Sequence, residues 1–126
     1  MFSVRITDTF SAAHFLREYK GKCENLHGHN WKVEIEVFSA SLDRSGMVID
    51  FTELKAIVSE VLKQYDHCLL NERKVFKKVN PTSENIARFL LDEIAGRLKH
   101  LRRLVKIRVS VWEQERSCAT FERKLR

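Results

Sequence analysis

His27-Gly-His-Asn-Trp-Lys-Val-Glu-Ile-Glu-Val37 places His27, His29, Trp31, Val33, Ile35 and Val37 on one parity and Lys32, Glu34 and Glu36 on the other. Side chains of a strand alternate between two faces, so this is a half-buried strand with one apolar face. Upstream, residues 2 to 15 repeat the pattern, with Phe2, Val4, Ile6, Phe10, Ala12 and His14 in step. Downstream the period changes. Asp50-Phe-Thr-Glu53 has the spacing of a capping box with Asp in place of Ser or Thr. Phe51, Leu54, Ile57, Val58, Val61, Leu62 and Tyr65 follow at helical intervals and predict a helix from about 51 to 65. Pro81-Thr-Ser-Glu-Asn85 offers a proline near a helix start and several caps, ahead of a stripe formed by Ile86, Phe89, Leu90, Ile94 and Leu98. Val105, Ile107, Val109 and Val111 then alternate with Lys106, Arg108 and Ser110, and residues 118 to 125 form a last strand.

The resulting order, β-β-α-α-β-β, describes an α+β fold: an antiparallel sheet with both helices on one face. The uncovered face carries Lys32, Glu34, Glu36 and Phe38 from one strand and Lys106, Arg108 and Ser110 from another. It suits solvent or the lining of an oligomer better than a dry core, and association through sheet edges is expected.

With 126 residues, 44% of them hydrophobic, the chain suffices for one domain with a real core, expected to span 1–126. One proline, four glycines and no repeat leave no sign of a linker. No apolar run approaches the roughly 20 residues of a membrane span, and the start lacks the features of a secretory signal, so a cytoplasmic protein without a membrane role is expected. Cys23, Cys68 and Cys118 are too few and too scattered for a disulfide scaffold, which agrees with a reducing compartment. The net charge of +6 is spread over short pairs such as Lys77-Lys78, Arg102-Arg103 and Arg123-Lys124. These read as solvated faces rather than a nucleic-acid footprint, and the same field would draw in a small anionic substrate.

An i, i+2 histidine pair on a strand points both imidazoles to one side, and His14 ends the neighbouring strand. His14, His27 and His29 can therefore fill three corners of a tetrahedron and leave the fourth open, the pattern of a catalytic zinc site. His14 by itself would read as a satisfied core histidine. Cys23, four residues before His27, is a further ligand, a general base or nucleophile with a lowered thiol pKa, or a loop residue; spacing does not choose. Asp66-His67 pairs a carboxylate with an imidazole, as proton transfer near neutral pH requires, and reads equally as a surface pair. His100, beside Lys99 and Arg102, reads as exposed and without a role. Glu113 continues the parity of Val105 to Val111, where a carboxylate needs donors. Backbone amides, Thr82, Ser83, or a ligand with two adjacent N–H groups would serve; a strand-end glutamate reaching solvent is the plain reading.

Phe10-Ser-Ala-Ala-His14, Cys23-Glu-Asn-Leu-His-Gly-His29, Gly46-Met-Val-Ile-Asp-Phe51, Tyr65-Asp-His-Cys-Leu-Leu-Asn71, Pro81-Thr-Ser-Glu-Asn85 and Val111-Trp-Glu113 occur in this order along nearly the whole chain. Together they resemble the 6-pyruvoyl-tetrahydropterin synthase family, and within it the 6-carboxy-tetrahydropterin branch of queuosine biosynthesis. The resemblance implies His14, His27 and His29 as zinc ligands, Cys23 as catalytic cysteine, Asp66 and His67 as proton relay, and Glu113, Thr82 and Ser83 as pterin contacts. It also implies the T-fold, whose copies join sheets into a barrel, as hexamer or tetramer, with active sites at subunit interfaces.

The reaction implied converts 7,8-dihydroneopterin triphosphate to 6-carboxy-5,6,7,8-tetrahydropterin, releasing acetaldehyde and triphosphate, with Arg17, Lys20 and Lys22 as candidates to meet the phosphates. Three residues between Cys23 and His27 look like the carboxy branch; the tetrahydrobiopterin branch, which makes the 6-pyruvoyl product, typically has five. Glu24 resembles the glutamate of the branch making 6-hydroxymethyl-dihydropterin for folate, so a second product, or both, is open. Outside enzymes, the alternative is a basic, zinc-stabilised module binding nucleic acid or a protein partner, for which Cys23, Asp66 and Glu113 would be dispensable.

Overall fold

The computed structural model describes residues 1–22 and 24–126. Strand β1 (Phe2–His14) pairs antiparallel with β2 (His27–Ser39), which pairs with β4 (Leu104–Gln114), and β4 with β5 (Ser117–Lys124). Between the helices a two-residue strand, β3 (Cys68–Leu69), adds to the far side of β1 in parallel, against Ala12 and Ala13. The sheet order is β3-β1-β2-β4-β5. The expected antiparallel four-stranded sheet is present, and β3 makes it a mixed one; two residues carry no period from which to read a strand.

Helix α1 (Phe51–Leu62) starts where Asp50 accepts the Thr52 N–H at 2.8 Å. Glu53 faces His100 instead of completing a capping box, its Oε1 3.2 Å from His100 Nε2. The helix ends three residues before the expected 65. Tyr65 follows in a turn, fully buried, with its hydroxyl donating to Glu93 at 3.0 Å. Helix α2 (Ser83–Arg97) is capped by Thr82, whose hydroxyl accepts the Asn85 N–H at 3.1 Å.

Both helices lie on the face defined by the parity of β2. Leu54, Val58 and Val61 of α1 and Ile86, Leu90 and Ile94 of α2 meet Trp31, Val33, Ile35, Val37, Ile107, Val109 and Val111, all fully buried. At about 1.5–3 kcal/mol for each large apolar side chain removed from water, this layer dominates the stabilisation and sets the register, because a slip of one residue would turn Trp31, Val33 and Ile35 outward. The opposite face is charged, as expected. Arg108 bridges Glu36 at 3.1 Å and Glu122 at 2.8 Å, Arg5 pairs with Glu34 at 3.5 Å, and Lys32 lies over the Trp112 ring. Exposed pairs of this kind contribute about 0–1 kcal/mol each, so they keep the face wet more than they hold the fold. Among the described residues no helix is long and apolar enough to cross a membrane.

Candidate active site

The β1–β2 register sets His14 opposite His27, and Ala12 opposite His29. All three imidazoles therefore stand at one end of the helix-covered face, with ring centroids 4.6, 4.7 and 5.3 Å apart. Trp31 forms the floor. It stacks on Phe10, meets His14 and His29 edge-on at 4.9 and 5.2 Å, and donates its indole N–H to the Ala12 carbonyl at 3.2 Å.

The backbone sets the tautomers. His14 Nδ1–H donates to the Pro81 carbonyl and His27 Nδ1–H to the Asn25 carbonyl, both at 2.8 Å. Carbonyls only accept, so both protons are on Nδ1, and each neutral ring presents an Nε2 lone pair. Those two Nε2 atoms lie 3.1 Å apart. Two acceptors at that distance repel unless a cation lies between them, and tetrahedral zinc, with bonds of about 2.0–2.1 Å, holds its nitrogens about 3.3 Å apart. His29 Nε2 is buried without a hydrogen-bond partner among the described residues; Glu113 Oε1 is 3.0 Å away but out of hydrogen-bond alignment. The four ligand atoms all lie within 4.8 Å of one another. Burial pushes the His29 imidazole below its ordinary pKa, outweighing the upward pull of Glu113, and so favours the neutral, ligating form. These donors fit a divalent metal such as zinc.

Glu113 arrives through an irregularity in β4: the β4–β5 ladder passes from Trp112 to Gln114 and leaves it unpaired. Sequence reasoning offered backbone amides, Thr82, Ser83 or a ligand as its donors; in the structure His29 is beside it, 3.0 Å away. Thr82 is occupied as the α2 cap and Ser83 opens that helix, directly after the Pro81 carbonyl that holds His14. Glu24 also sits close. Its carboxylate accepts the Leu16 N–H at 3.3 Å, its own N–H donates to the Leu16 carbonyl at 2.8 Å, and Oε1 lies 3.8 Å from His27 Nδ1. Cys23, expected as the catalytic thiol, lies outside the described residues.

Asp66 and His67 are paired as expected, 2.8 Å apart, but the structure does not bring them into the histidine cluster. They grip Ser11 at the outer edge of β1: Asp66 accepts the Ser11 N–H at 2.8 Å, and the His67 N–H donates to the Ser11 carbonyl at 2.6 Å. The Ser11 bond, with His67 adding to it, holds the Asp66 carboxyl below the usual carboxylate range. His67 is 82% exposed at its side chain. Arg17, a candidate for the phosphates, points its guanidinium at its own chain, with Nη2 3.4 Å from the Asn71 carbonyl. The His29–Glu113 approach and the roles of Asn71 and Asn80 around residues 15–17 escaped the sequence reading, because side-chain amide contacts carry no periodic signal.

An apolar cleft of about 310 Å³ lies well away from the histidines, between the start of β1 and the segment leading into α1. Phe2, Leu42, Met47 and Phe51 line it and stand partly exposed beside the open edge of β1.

The family model for 6-pyruvoyl tetrahydropterin synthase matches residues 3–124. A relative from Archaeoglobus fulgidus is 45% identical over 101 residues, 80% of this chain and 83% of its own. The 6-carboxy-5,6,7,8-tetrahydropterin synthase of Haemophilus influenzae is 36% identical over 97% of this chain and 99% of its own. Among solved structures, the 6-pyruvoyl tetrahydropterin synthase of Caenorhabditis elegans superposes with a TM-score of 0.82 at 30% identity, covering 97% of this chain and 95% of that one.

Proposed function

The chain belongs to the 6-pyruvoyl tetrahydropterin synthase family, and from that premise we propose that it converts 7,8-dihydroneopterin triphosphate and one water to 6-carboxy-5,6,7,8-tetrahydropterin, acetaldehyde and triphosphate. The observation that carries the reading is the convergence of three imidazole nitrogens, two with fixed tautomers and one buried without a partner among the described residues, beside a carboxylate. The choice of product rests on the Haemophilus influenzae relative and on the three-residue spacing from Cys23 to His27.

His14, His27 and His29 would hold zinc, with the fourth position left to substrate. Bound there, the metal supplies Lewis acidity to the oxygens of the substrate side chain. Glu113 would receive the paired N–H groups of the pterin ring, with Thr82 and Ser83 as further pterin contacts. Cys23, as thiolate, takes a proton from the side chain; Asp66 orients His67, which returns one. Because Asp66 and His67 lie on the outer edge of β1, they serve a histidine cluster in a neighbouring copy, and the apolar cleft beside that edge is where copies meet. The reaction belongs to queuosine precursor synthesis in the cytoplasm. A second reading draws on Glu24, whose carboxylate lies 3.8 Å from His27 Nδ1 and would move protons toward a 6-hydroxymethyl product.

The test is to incubate zinc-loaded protein with dihydroneopterin triphosphate and identify the pterin by mass, beside Cys23→Ala. A 6-carboxy product lost in Cys23→Ala supports the proposal. A 6-hydroxymethyl product surviving in it transfers the chemistry to Glu24, and a 6-pyruvoyl product assigns the other branch. No turnover at all refutes the enzyme reading and favours a binding module.

A further inference from the structure

Strand β1 ends at His14, yet its hydrogen-bond ladder does not. At Phe15 the Asn71 side chain takes over, accepting the Phe15 N–H at 3.0 Å and donating to the Phe15 carbonyl at 2.9 Å. Two residues on, Asn80 does the same for Arg17, accepting its N–H at 2.8 Å and donating to its carbonyl at 3.0 Å. Each carboxamide presents an acceptor and a donor side by side, as a neighbouring strand would, so the pair continues the sheet with side chains in place of backbone. Asn71 is 4% exposed. The Asn80 carbonyl is held in turn by Asn85 Nδ2 at 2.9 Å and by the Thr82 N–H at 2.9 Å.

This clamp brackets His14 from two sides. Asn80 ties the segment just after His14 to the loop ahead of α2, and the next carbonyl in that loop, Pro81, accepts the His14 Nδ1–H. We propose that Asn80, supported by Asn71, is a positioning residue for the metal site: by clasping Arg17 it fixes the Pro81 carbonyl against His14, and so holds the His14 ring and tautomer with Nε2 aimed at the metal. The inference rests on the metal-site reading. The direct partner of a ligating imidazole, here the Pro81 carbonyl, is worth about 10- to 100-fold in metal affinity, and Asn80, which acts through it, is expected at the lower end of that range.

The experiment measures zinc affinity by competition with a chromophoric chelator, and the visible absorption of the cobalt(II)-substituted protein, for wild type, Asn80→Ala, Asn80→Asp and Asn30→Ala. Asn30 accepts the Ser11 hydroxyl on the opposite face and, among the described residues, its side chain makes no hydrogen bond to His14 or to the loop that holds it, so it controls for the loss of an ordinary side-chain hydrogen bond. The expected result is about tenfold weaker affinity with altered cobalt bands for Asn80→Ala. Asn80→Asp keeps the shape and the acceptor for Arg17 but sets an oxygen against the Arg17 carbonyl, so it should show an intermediate loss. Asn30→Ala should stay within about twofold of wild type. If Asn80→Ala does not fold, Asn80→Asp decides alone. Wild-type affinity and cobalt bands in folded Asn80 variants would overturn the inference while leaving the metal site standing. Failure of the wild type itself to bind zinc or cobalt would overturn both.

Discussion

Replacing His27 with alanine should cost little without metal and much more with it. In the metal-free protein the Nε2 atoms of His14 and His27, their protons drawn to Nδ1 by backbone carbonyls, face each other at 3.1 Å. With about half a unit charge on each nitrogen and an effective dielectric near 20, their repulsion is about 1 kcal/mol. His27→Ala removes that repulsion and also the half-exposed bond to the Asn25 carbonyl, worth about 0.5–1.5 kcal/mol, so in chelator the variant should stay within about 1 kcal/mol of wild type. Metal at a hundred times its Kd adds about 2.7 kcal/mol to a protein that binds it. At about 4 °C per kcal/mol for a chain of this length, the wild type should gain about 10 °C in Tm on adding zinc, and His27→Ala far less. Thermal melts of both proteins, with chelator and with excess zinc, give the four values. Equal destabilisation by the mutation in both conditions would refute the reasoning and make His27 an ordinary packing residue.

Glu113→Gln should retain bound metal while kcat/KM falls by about a hundredfold or more; loss of metal in elemental analysis would make Glu113 a fourth ligand rather than a pterin anchor. Trp31→Ala should cost about 3–5 kcal/mol in denaturant melts, because the ring is fully buried between Phe10 and the histidines, and a loss below about 1 kcal/mol would contradict that packing. Asp66 has a folded pKa below its ordinary value of about 3.8, so its contribution is complete above that value and disappears as pH falls through the depressed one. The stability gap between wild type and Asp66→Asn should therefore begin to narrow only below about pH 4 and go on narrowing as the pH falls further; a gap that does not narrow below pH 4 would contradict the assignment.

Wherever burial repeats along an element, the sequence carried enough to place it. The parities of β1 and β2 put Phe10 opposite Trp31 and the three histidines at one end of one face, because sheet pairing acts on the same alternation that the residues display. Asp50 and Thr82 marked helix starts through their side-chain oxygens. The missing parts lack a period. Cys68–Leu69 joins the sheet through backbone alone, Glu113 gains its neighbour through a local irregularity, and Asn71 and Asn80 act by carboxamide geometry. Asp66-His67 was legible as a pair but not in location, since only the chain path after α1 decides that it grips Ser11 rather than approaching His14.

His67 sits at φ 55°, in the left-handed region. For a side chain other than glycine this conformation costs about 1–2 kcal/mol, although histidine and asparagine tolerate it better than most. Its tight bond to Ser11 holds the backbone there, and a glycine or asparagine would fold into the same turn more comfortably. A library selected only for heat resistance would therefore drift toward His67→Gly or His67→Asn, while the proton transfer proposed for His67 requires that one selected for turnover keep the imidazole. The difference between the two outcomes would mark this corner as a place where ease of folding and chemistry pull in different directions.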